Sequence, residues 1–179
     1  MSSKNKRLAI LSEAEQAALY ELPDFDEAQR LEYLSLTPQE QELITGRKGL
    51  TSQVYCALQI GYFKAKHCFF RFSLDEVPED VAFISEQYFS SQTVNLIPIT
   101  NHEYYAQSSL ITKHFGYQPW EKKHEPFVKN EVIKAIKTDN SPEFIVMELL
   151  RVFQDKKWIR PPYTTLQTLI NVSSMKFKL

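Results

Sequence analysis

The sequence predicts an all-α protein made of two small helical units, and three observations support this fold class. Helix-start signals recur along the chain, because Ser12, Thr37 and Thr100 are each followed three residues later by a glutamate that completes a capping box. The chain has only 4 glycines, which is few for the positive-φ turns of a β-sandwich or barrel. Strand-like alternation is confined to a short aromatic stretch near residue 70.

Capping residues and apolar spacing predict the first four helices. The first runs from Ser12 to near Pro23, and the second has an apolar stripe formed by Phe25, Ala28, Leu31 and Leu34. A short third helix follows Thr37 and ends at Gly46. The fourth runs from about Thr51 to Lys66 and buries Val54, Ala57, Leu58 and Gly61. Glycine inside a helix costs about 1 kcal/mol against alanine, so we expect close helix packing at Gly61.

Proline and threonine signals predict five further helices after an aromatic connection. Residues 67–76 are predicted to be an anchoring link, with a short strand as the alternative. The later helices are predicted from Pro78, from Asn101 to a stop at Gly116, from Pro126 to Lys137, from Pro142 to the break at Pro161-Pro162, and from Thr165 to Val172. The side chains predicted to face inward are Val81, Ile84, Tyr88, Ile145, Leu149 and Phe153.

Charge is distributed in blocks about as long as one or two helices. The net charge is −1, which by itself argues against a nucleic-acid partner. Residues 11–45 contain nine acids and one base, whereas residues 46–71 contain five bases and no acid. Residues 75–103 are again acidic. Folding can gather such blocks into one positive and one negative face. The alternative is an ordinary solvated surface.

Composition argues against several classes of protein. No apolar stretch reaches the roughly 20 residues of a membrane span, and no cleavable leader follows the basic start. Two cysteines, Cys56 and Cys68, cannot build a disulfide framework. We therefore expect a cytoplasmic protein, or a nuclear one in a eukaryote, that does not engage a membrane.

No catalytic or metal-binding pattern is evident in the sequence. The four histidines are scattered and form no paired-ligand motif. Cys56, His67 and Cys68 supply three zinc-ligand types, but Cys56 lies mid-helix and a fourth ligand is not apparent. We therefore predict no enzyme activity, no cofactor and no metal site.

The segment from Leu36 to Gln59 has the form of a helix-turn-helix, with a basic turn between a short and a longer helix. Arg47 and Lys48 lie in the predicted turn, where they are suited to phosphates or, for Arg47, to a guanine edge. The second helix is expected to be capped by Thr51 and to present Ser52, Gln53 and Tyr55, and Lys64 is assigned to the same DNA-binding surface. The alternative is a plain helical hairpin with a solvated basic turn.

A similar arrangement follows in the second half of the chain. The sixth helix leads through residues 116–124 into the seventh. There Tyr117 and Gln118 are expected at the DNA surface, with Lys122 and Lys123 on phosphates. Tyr117 and Trp120 alternatively cover the core. The basic residues Lys4, Lys6 and Arg7 are suited to a minor groove, or else form a plain flexible arm.

These motifs, taken in order, resemble the N-terminal region of Tn-three-family transposases, the replicative transposases of bacterial transposons that form cointegrates. The resemblance spans roughly residues 8–170, and its specificity lies in the order and spacing of short motifs. The residues that carry it are Ile10-Leu11-Ser12-Glu13-Ala14-Glu15, Leu36-Thr37, Arg47-Lys48-Gly49, the run HFGYQPW at 114–120, and the run KKWIRPPYTTL at 156–166.

The resemblance implies tandem helix-turn-helix units, similar to those of centromere protein B, that bind the terminal inverted repeats of a transposon. In that family strand transfer belongs to a DDE, RNase-H-like domain further along the polypeptide. The expected function is therefore sequence-specific binding of double-stranded DNA by a non-catalytic part or truncated form of a transposase. A full-length transposase is a further expected partner, and the expected location is the cytoplasm, in association with the nucleoid. The alternative is an all-α interaction or regulatory module that does not bind DNA.

The expected domain organisation combines these arguments. Residues 1–7 form a flexible basic arm, 8–66 and 78–138 the two helix-turn-helix units, and 67–77 the linker between them. Residues 139–179 form C-terminal helices that lead to a missing downstream domain. The last residues do not complete a helix pattern, which favours a truncated chain. We expect a monomer. The acidic overall balance departs from that of most stand-alone DNA-binding proteins.

Overall fold

The computed structural model describes residues 9–175 and is all-α over that range, as predicted. Within it no β-strand forms, and the one isolated β-bridge joins Gln118 and Trp158. Two 3₁₀ turns cover Leu74–Glu76 and Lys122–His124. The helices are α1 (Glu13–Tyr20), α2 (Glu27–Tyr33), α3 (Pro38–Thr45), α4 (Leu50–Lys66), α5 (Pro78–Tyr88), α6 (Asn101–His114), α7 (Glu125–Thr138), α8 (Pro142–Lys156) and α9 (Tyr163–Met175).

The chain divides into two compact units at boundaries that differ from the predicted ones. The middle unit is Leu22–Gly116, and the terminal unit combines Met1–Glu21 with Tyr117–Leu179. Residues 67–77 do not link two units, because Phe70, Phe72 and Leu74 are buried within the middle unit. The predicted unit 78–138 is also divided, with α6 in the middle unit and α7 in the terminal one. The predicted arm, residues 1–7, lies outside the described residues.

Local capping explains where the helices begin. Ser12 and Thr37 form the predicted capping boxes with Glu15 and Glu40. A third box, between Asp26 and Gln29, starts α2. At α6 only half of the predicted box forms. The Thr100 side chain accepts from the Glu103 backbone N–H, but the Glu103 carboxylate accepts from Gln107 Nε2.

Helix α4 is the centre of the middle unit and packs against α2, α3, α5 and α6. Residues 54–63 are all buried. A Cβ atom added at Gly61 would overlap Leu34 Cδ2 and lie 3.1 Å from the Tyr33 carbonyl oxygen. The predicted reason for this glycine, close helix packing, is thereby confirmed.

Two details of the predicted helices are wrong. In the proposed stripe of α2, Phe25 and Leu34 are buried, but Ala28 and Leu31 are exposed. The reason is that α2 has only 7 residues, so Phe25 and Leu34 lie just outside its ends. The N-cap residue of α4 is Gly49, at φ +85, and not the predicted Thr51. A positive φ favours glycine, and the Thr51 hydroxyl donates to the Asn95 carbonyl at 2.8 Å.

The described part of the terminal unit is built around α7, which packs against both α8 and α9. The inward positions predicted for α8 are confirmed, since Ile145, Leu149 and Phe153 are buried. The remaining core residues are Ile10, Val128, Val132, Ala135, Val146, Leu166, Leu169 and Ile170. Among the described residues no helix is both long and apolar enough to cross a membrane.

Candidate nucleic-acid interface

The two units differ in net charge. The middle unit contains 7 basic and 12 acidic residues, a net charge of −5. The terminal unit contains 14 basic and 10 acidic residues, but five of its bases lie outside the described residues. The described part of the terminal unit has 9 basic and 10 acidic residues. The excess negative charge that repels a polyanion therefore lies mainly in the middle unit.

Two basic residues of the first predicted motif form ion pairs within the middle unit. Arg47 Nη1 lies 3.5 Å from Glu103 Oε1, and the Arg47 side chain is only 20% exposed. Lys64 Nζ lies 2.8 Å from Glu40 Oε2 and also donates to the Ser35 carbonyl at 3.0 Å. Arg47 and Lys64 therefore stabilise helix contacts within the unit, and their contact with DNA stays a prediction.

Helix α4 does not present the face expected of a groove-reading helix. Tyr55 is buried and donates to the Phe72 carbonyl at 2.9 Å, and burial raises the pKa of its hydroxyl to about 12. Ser52 and Gln53 are half-buried. The Ser52 carbonyl accepts from Gln107, and the Gln53 amide donates to the Arg47 carbonyl. Helices packed around α4 therefore occupy the side that the sequence pattern assigned to DNA.

Other cations of the middle unit are also engaged. Arg30 pairs with Asp80 and Glu79, and its pKa is raised, mainly by the hydrogen bond to Asp80. The Arg71 guanidinium lies 3.7 Å from the Tyr104 ring centroid, a cation–π contact. Lys48, by contrast, is exposed. Of the residues predicted for DNA in this unit, Lys48 is the one whose charge is most accessible.

In the terminal unit a β-bridge joins the two stretches that carry the later motifs. Gln118 N donates to the Lys157 carbonyl at 2.8 Å, and Ile159 N donates to the Gln118 carbonyl at 2.9 Å. Lys157, at φ +52, ends α8 in the left-handed conformation that commonly closes a helix. This turn directs Trp158 to its position beside Gln118. Residues 117–124 and 156–160 thereby lie side by side.

Aromatic rings form the base of this region. The His124 ring is buried and stacks on Trp158 with 4.2 Å between ring centroids. Trp120 contacts His124, and Phe127 contacts Trp158. His124 Nδ1 accepts a hydrogen bond from Glu121 N at 3.1 Å, which fixes the ring before α7 begins. We call Trp120, His124, Phe127 and Trp158 the aromatic base.

Four lysines border the aromatic base. Lys122 and Lys123 occupy the 3₁₀ turn that contains His124, and Lys156 Nζ lies 4.9 Å from the Phe127 ring centroid. Lys157 adjoins Trp158. All four side chains are exposed, and we call them the lysine cluster. Glu121 and Asp155 also lie in these two stretches, and Glu121 pairs with Lys123 at 3.2 Å.

The remaining predicted residues of this motif adjoin the lysine cluster. Gln118 is exposed, and its backbone forms the bridge. Tyr117 is half-buried, and burial raises the pKa of its hydroxyl against the opposing effect of Arg160. Arg160 itself donates to the Leu19 carbonyl at 2.6 Å. The structure thus brings together Tyr117, Gln118, Lys122 and Lys123.

Lys156 and Lys157 were not among the predicted DNA-binding residues. The available signal was the basic and aromatic composition of the run KKWIR at 156–160. Helix α9 follows that run after Pro161 and Pro162, and its Thr164 and Thr168 are exposed one helical turn apart. A cleft of about 230 Å³ runs between α7 and α9, lined by Thr164, Thr165, Thr168, Leu169, Val172, Glu125 and Lys129. Polar side chains therefore continue along α9 from the lysine cluster.

Within residues 9–175 no three His, Cys, Asp or Glu side chains are grouped as metal ligands. The chain matches a family model described as "Domain of unknown function (DUF4158)" over residues 10–172. No curated protein and no solved structure matches the chain. Because the match covers most of the sequence, the chain belongs to the DUF4158 domain family.

Proposed function

We propose that this protein binds double-stranded DNA through the lysine cluster and α9 of its terminal unit. In this proposal it recognises the terminal inverted repeats of a transposon, as a non-catalytic part of a DDE transposase. The observation that carries the proposal is the gathering of Lys122, Lys123, Lys156 and Lys157 around the aromatic base by the Gln118–Trp158 bridge.

The lysine cluster supplies affinity, because lysines that neutralise phosphates release condensed counterions from DNA. Four phosphate contacts would make log K fall with log salt at a slope of about −3.6. The aromatic base holds the loop that carries Lys122 and Lys123, so the four ammonium groups are offered from a packed surface. Such contacts position a protein on the duplex without reading its sequence.

Specificity is assigned to α9. In a helix-turn-helix the helix after the turn enters the major groove with its first residues against the base edges. Helix α8, the turn at 157–162 and α9 have this order, and α7 packs against both helices. Thr164 and Thr168 are exposed on the first turns of α9. A threonine hydroxyl can bond several base edges, and its methyl group can contact a thymine methyl.

In this proposal the acidic middle unit does not bind DNA, because its net charge of −5 repels phosphates. Arg47, Lys64, Ser52, Gln53 and Thr51 then act within that unit. The resemblance to Tn-three-family transposases supports the choice of transposon ends as the target. Two of the segments that carry the resemblance, residues 114–120 and 156–166, contribute Gln118 and Trp158 to the bridge.

A selection experiment tests the proposal. The protein is incubated with a library of random duplexes, bound sequences are enriched and sequenced, and the selected duplex is titrated by fluorescence anisotropy beside a scrambled duplex. We expect tighter binding of the selected duplex and a steep loss of affinity between about 50 and 200 mM salt. Equal affinity for both duplexes would refute the proposed sequence specificity, and no binding at low salt would refute the proposed DNA binding.

The second candidate is a protein-interaction module. The observation that favours it is the exposure of the adjacent apolar residues Leu96 and Ile97 in the middle unit, at 48% and 56%, together with Tyr105 on α6 at 62%. Contiguous exposed apolar surface marks protein contacts. Such binding would persist at high salt, whereas phosphate binding would be lost, so the salt titration separates the two candidates.

A further inference from the structure

An apolar groove lies between α1 and α8 in the terminal unit, with a volume of about 300 Å³. Met147, at 66% exposure, is the large apolar residue of its lining that is exposed to solvent. The other apolar residues that line it are Leu11, Ala18, Leu19, Val146 and Leu150. Methionine is flexible and polarisable, and it is frequent on surfaces that bind apolar partners of varied shape.

Helix α8 contributes to both the core and the groove. Ile145, Val146, Leu149 and Phe153 are buried in the core, and Leu150 packs against it. The residues of α8 that line the groove are Glu143, Val146, Met147 and Leu150. These positions are spaced i, i+3, i+4 and i+7, which is the spacing of a helix face that contacts another element. Met147 is the apolar residue of this face that the core leaves in solvent.

The two charged side chains that line the groove are acidic. Glu15 lines it from α1 and Glu143 lines it from α8, while no lysine or arginine is among its lining residues. Glu15 also accepts from Ser12 N within the capping box, so its carboxylate is held at the start of α1. A partner with an apolar stripe and basic residues beside it would match both the apolar lining and the two glutamates.

We propose that this groove binds an amphipathic helix of a protein partner, with apolar side chains at i, i+3 or i+4, and i+7 and with lysine or arginine beside them. Recognition of this kind is common for grooves between helices. Helix α1 has 8 residues and is therefore about 12 Å long. That length accommodates two turns of a bound helix and hence three apolar anchors.

The groove is separate from the lysine cluster. Met147 and Lys156 lie on the same helix, nine residues apart, which corresponds to about 13 Å of helix rise. A helix could therefore occupy the groove while DNA occupies the lysine cluster. Peptide binding is measured without DNA, so a failure to bind the peptide would not contradict the proposed DNA binding. A failure to bind DNA would likewise not contradict the proposed peptide site.

The test uses two designed peptides of about 15 residues that share one leucine stripe at the anchor positions. One peptide has lysines beside the stripe, and the other has glutamates at the same positions. Binding of each fluorescently labelled peptide is followed by anisotropy. We expect the lysine peptide to bind at least tenfold more tightly than the glutamate peptide. Equal affinities, or no binding of the lysine peptide up to about 1 mM, would overturn the proposal.

Variants then localise the site. Met147→Ala removes the exposed anchor contact and should weaken binding of the lysine peptide by about five- to tenfold. Leu31→Ala, which trims an exposed apolar side chain in the middle unit, is the matched control and should leave the affinity unchanged. Glu143→Lys should reduce the preference for the lysine peptide by at least tenfold. Circular dichroism checks that each variant is folded, and an unaltered affinity in folded Met147→Ala would refute the assignment.

Discussion

Gln118 and Trp158 are joined by a parallel β-bridge although helices α7 and α8 separate them along the chain. The bridge has two backbone hydrogen bonds, one to the Lys157 carbonyl and one from Ile159 N. It joins the segment before α7, at Gln118, to the segment after α8, at residues 157–159. Two short basic stretches that are distant in sequence thus become one surface, and the proposed DNA interface depends on this closure.

Replacing Lys122 or Lys156 with alanine should weaken DNA binding for every duplex sequence. Each variant loses one phosphate contact, so the slope of log K against log salt should become shallower by about 0.9. The measurement is an anisotropy titration at several salt concentrations with the selected and scrambled duplexes. The ratio of the two affinities should stay constant, because phosphate contacts do not read sequence.

Lys48→Ala is the control for this prediction. Lys48 is exposed but belongs to the acidic middle unit, and we expect no change in the salt slope. If Lys48→Ala reduced the slope as much as Lys122→Ala, the turn between α3 and α4 would also contact DNA, as the sequence pattern predicted.

Replacing Lys64 with methionine should destabilise the protein by about 2 kcal/mol. The Glu40 carboxylate is 4% exposed, and Lys64 is its ion-pair partner. Removal of one partner leaves a buried charge uncompensated, which costs about 3–5 kcal/mol in a fully buried pair. The expected value is lower because the Lys64 side chain is 19% exposed and solvent screens the pair. Urea unfolding measures the change.

A second substitution checks the cause of this loss. Glu40→Gln added to Lys64→Met removes the buried charge and keeps a capping-box side chain that can accept from Thr37 N. The double variant should therefore be more stable than Lys64→Met alone. A double variant that is less stable would show that the loss comes from packing of the lysine chain.

Gly61→Ala should destabilise the protein by about 1–3 kcal/mol, the usual cost of overpacking a core. The added methyl group would overlap Leu34 Cδ2 and press on the Tyr33 carbonyl oxygen at 3.1 Å. Gly46→Ala is the matched control, because its Cβ would meet its nearest atoms at 3.6 and 3.8 Å and Gly46 already has φ −70. Thermal unfolding should show a lower Tm for the first variant and an unchanged or higher Tm for the second.

Stability should fall with rising pH above about pH 9. Burial raises the pKa of the Cys56 thiol from 9.0 to about 12 and also raises the pKa of the Tyr62 hydroxyl. The unfolded chain then loses protons that the folded chain retains, so each group lowers stability by about 1.4 kcal/mol per pH unit above its unfolded pKa. The urea midpoint should be nearly constant from about pH 7 to 8 and decrease from about pH 9 to 11.

Variants assign the alkaline effect to individual groups. Cys56→Ala should remove the part of the decrease that begins near pH 9. Tyr62→Phe should reduce the part that begins above about pH 10, to which Tyr55 also contributes. A variant that unfolds with the same pH profile as the original protein would contradict the assignment of that group.

Most helices were predictable because their signals are local. The capping boxes at Ser12 and Thr37 involve residues three positions apart, and Pro78, Pro126 and Pro142 begin their helices through a fixed φ. Burial along α8 also followed from its spacing. The predicted apolar stripe of α2 was wrong because the helix has only seven residues. Two turns of helix are too few for the spacing of apolar residues to show which side is buried.

The site was only partly predictable. Tyr117, Gln118, Lys122 and Lys123 were identified from one basic and aromatic run, and the structure joins them to Lys156 and Lys157. In the first motif, the basic turn and the helix after it suggested a groove-reading unit. Other helices bury that helix, however, and Glu103 and Glu40 pair with Arg47 and Lys64.

The sequence by itself determined the all-α class, most helix starts and the need for close packing at Gly61, because each depends on residues close together in the chain. The tertiary structure decided which positive charges remain at the surface. Glu40 and Lys64 become neighbours only when α3 packs on α4, and Gln118 meets Trp158 only when α7 and α8 have packed together. Pairing of charges depends on distance in space, and local patterns in a sequence do not contain that distance.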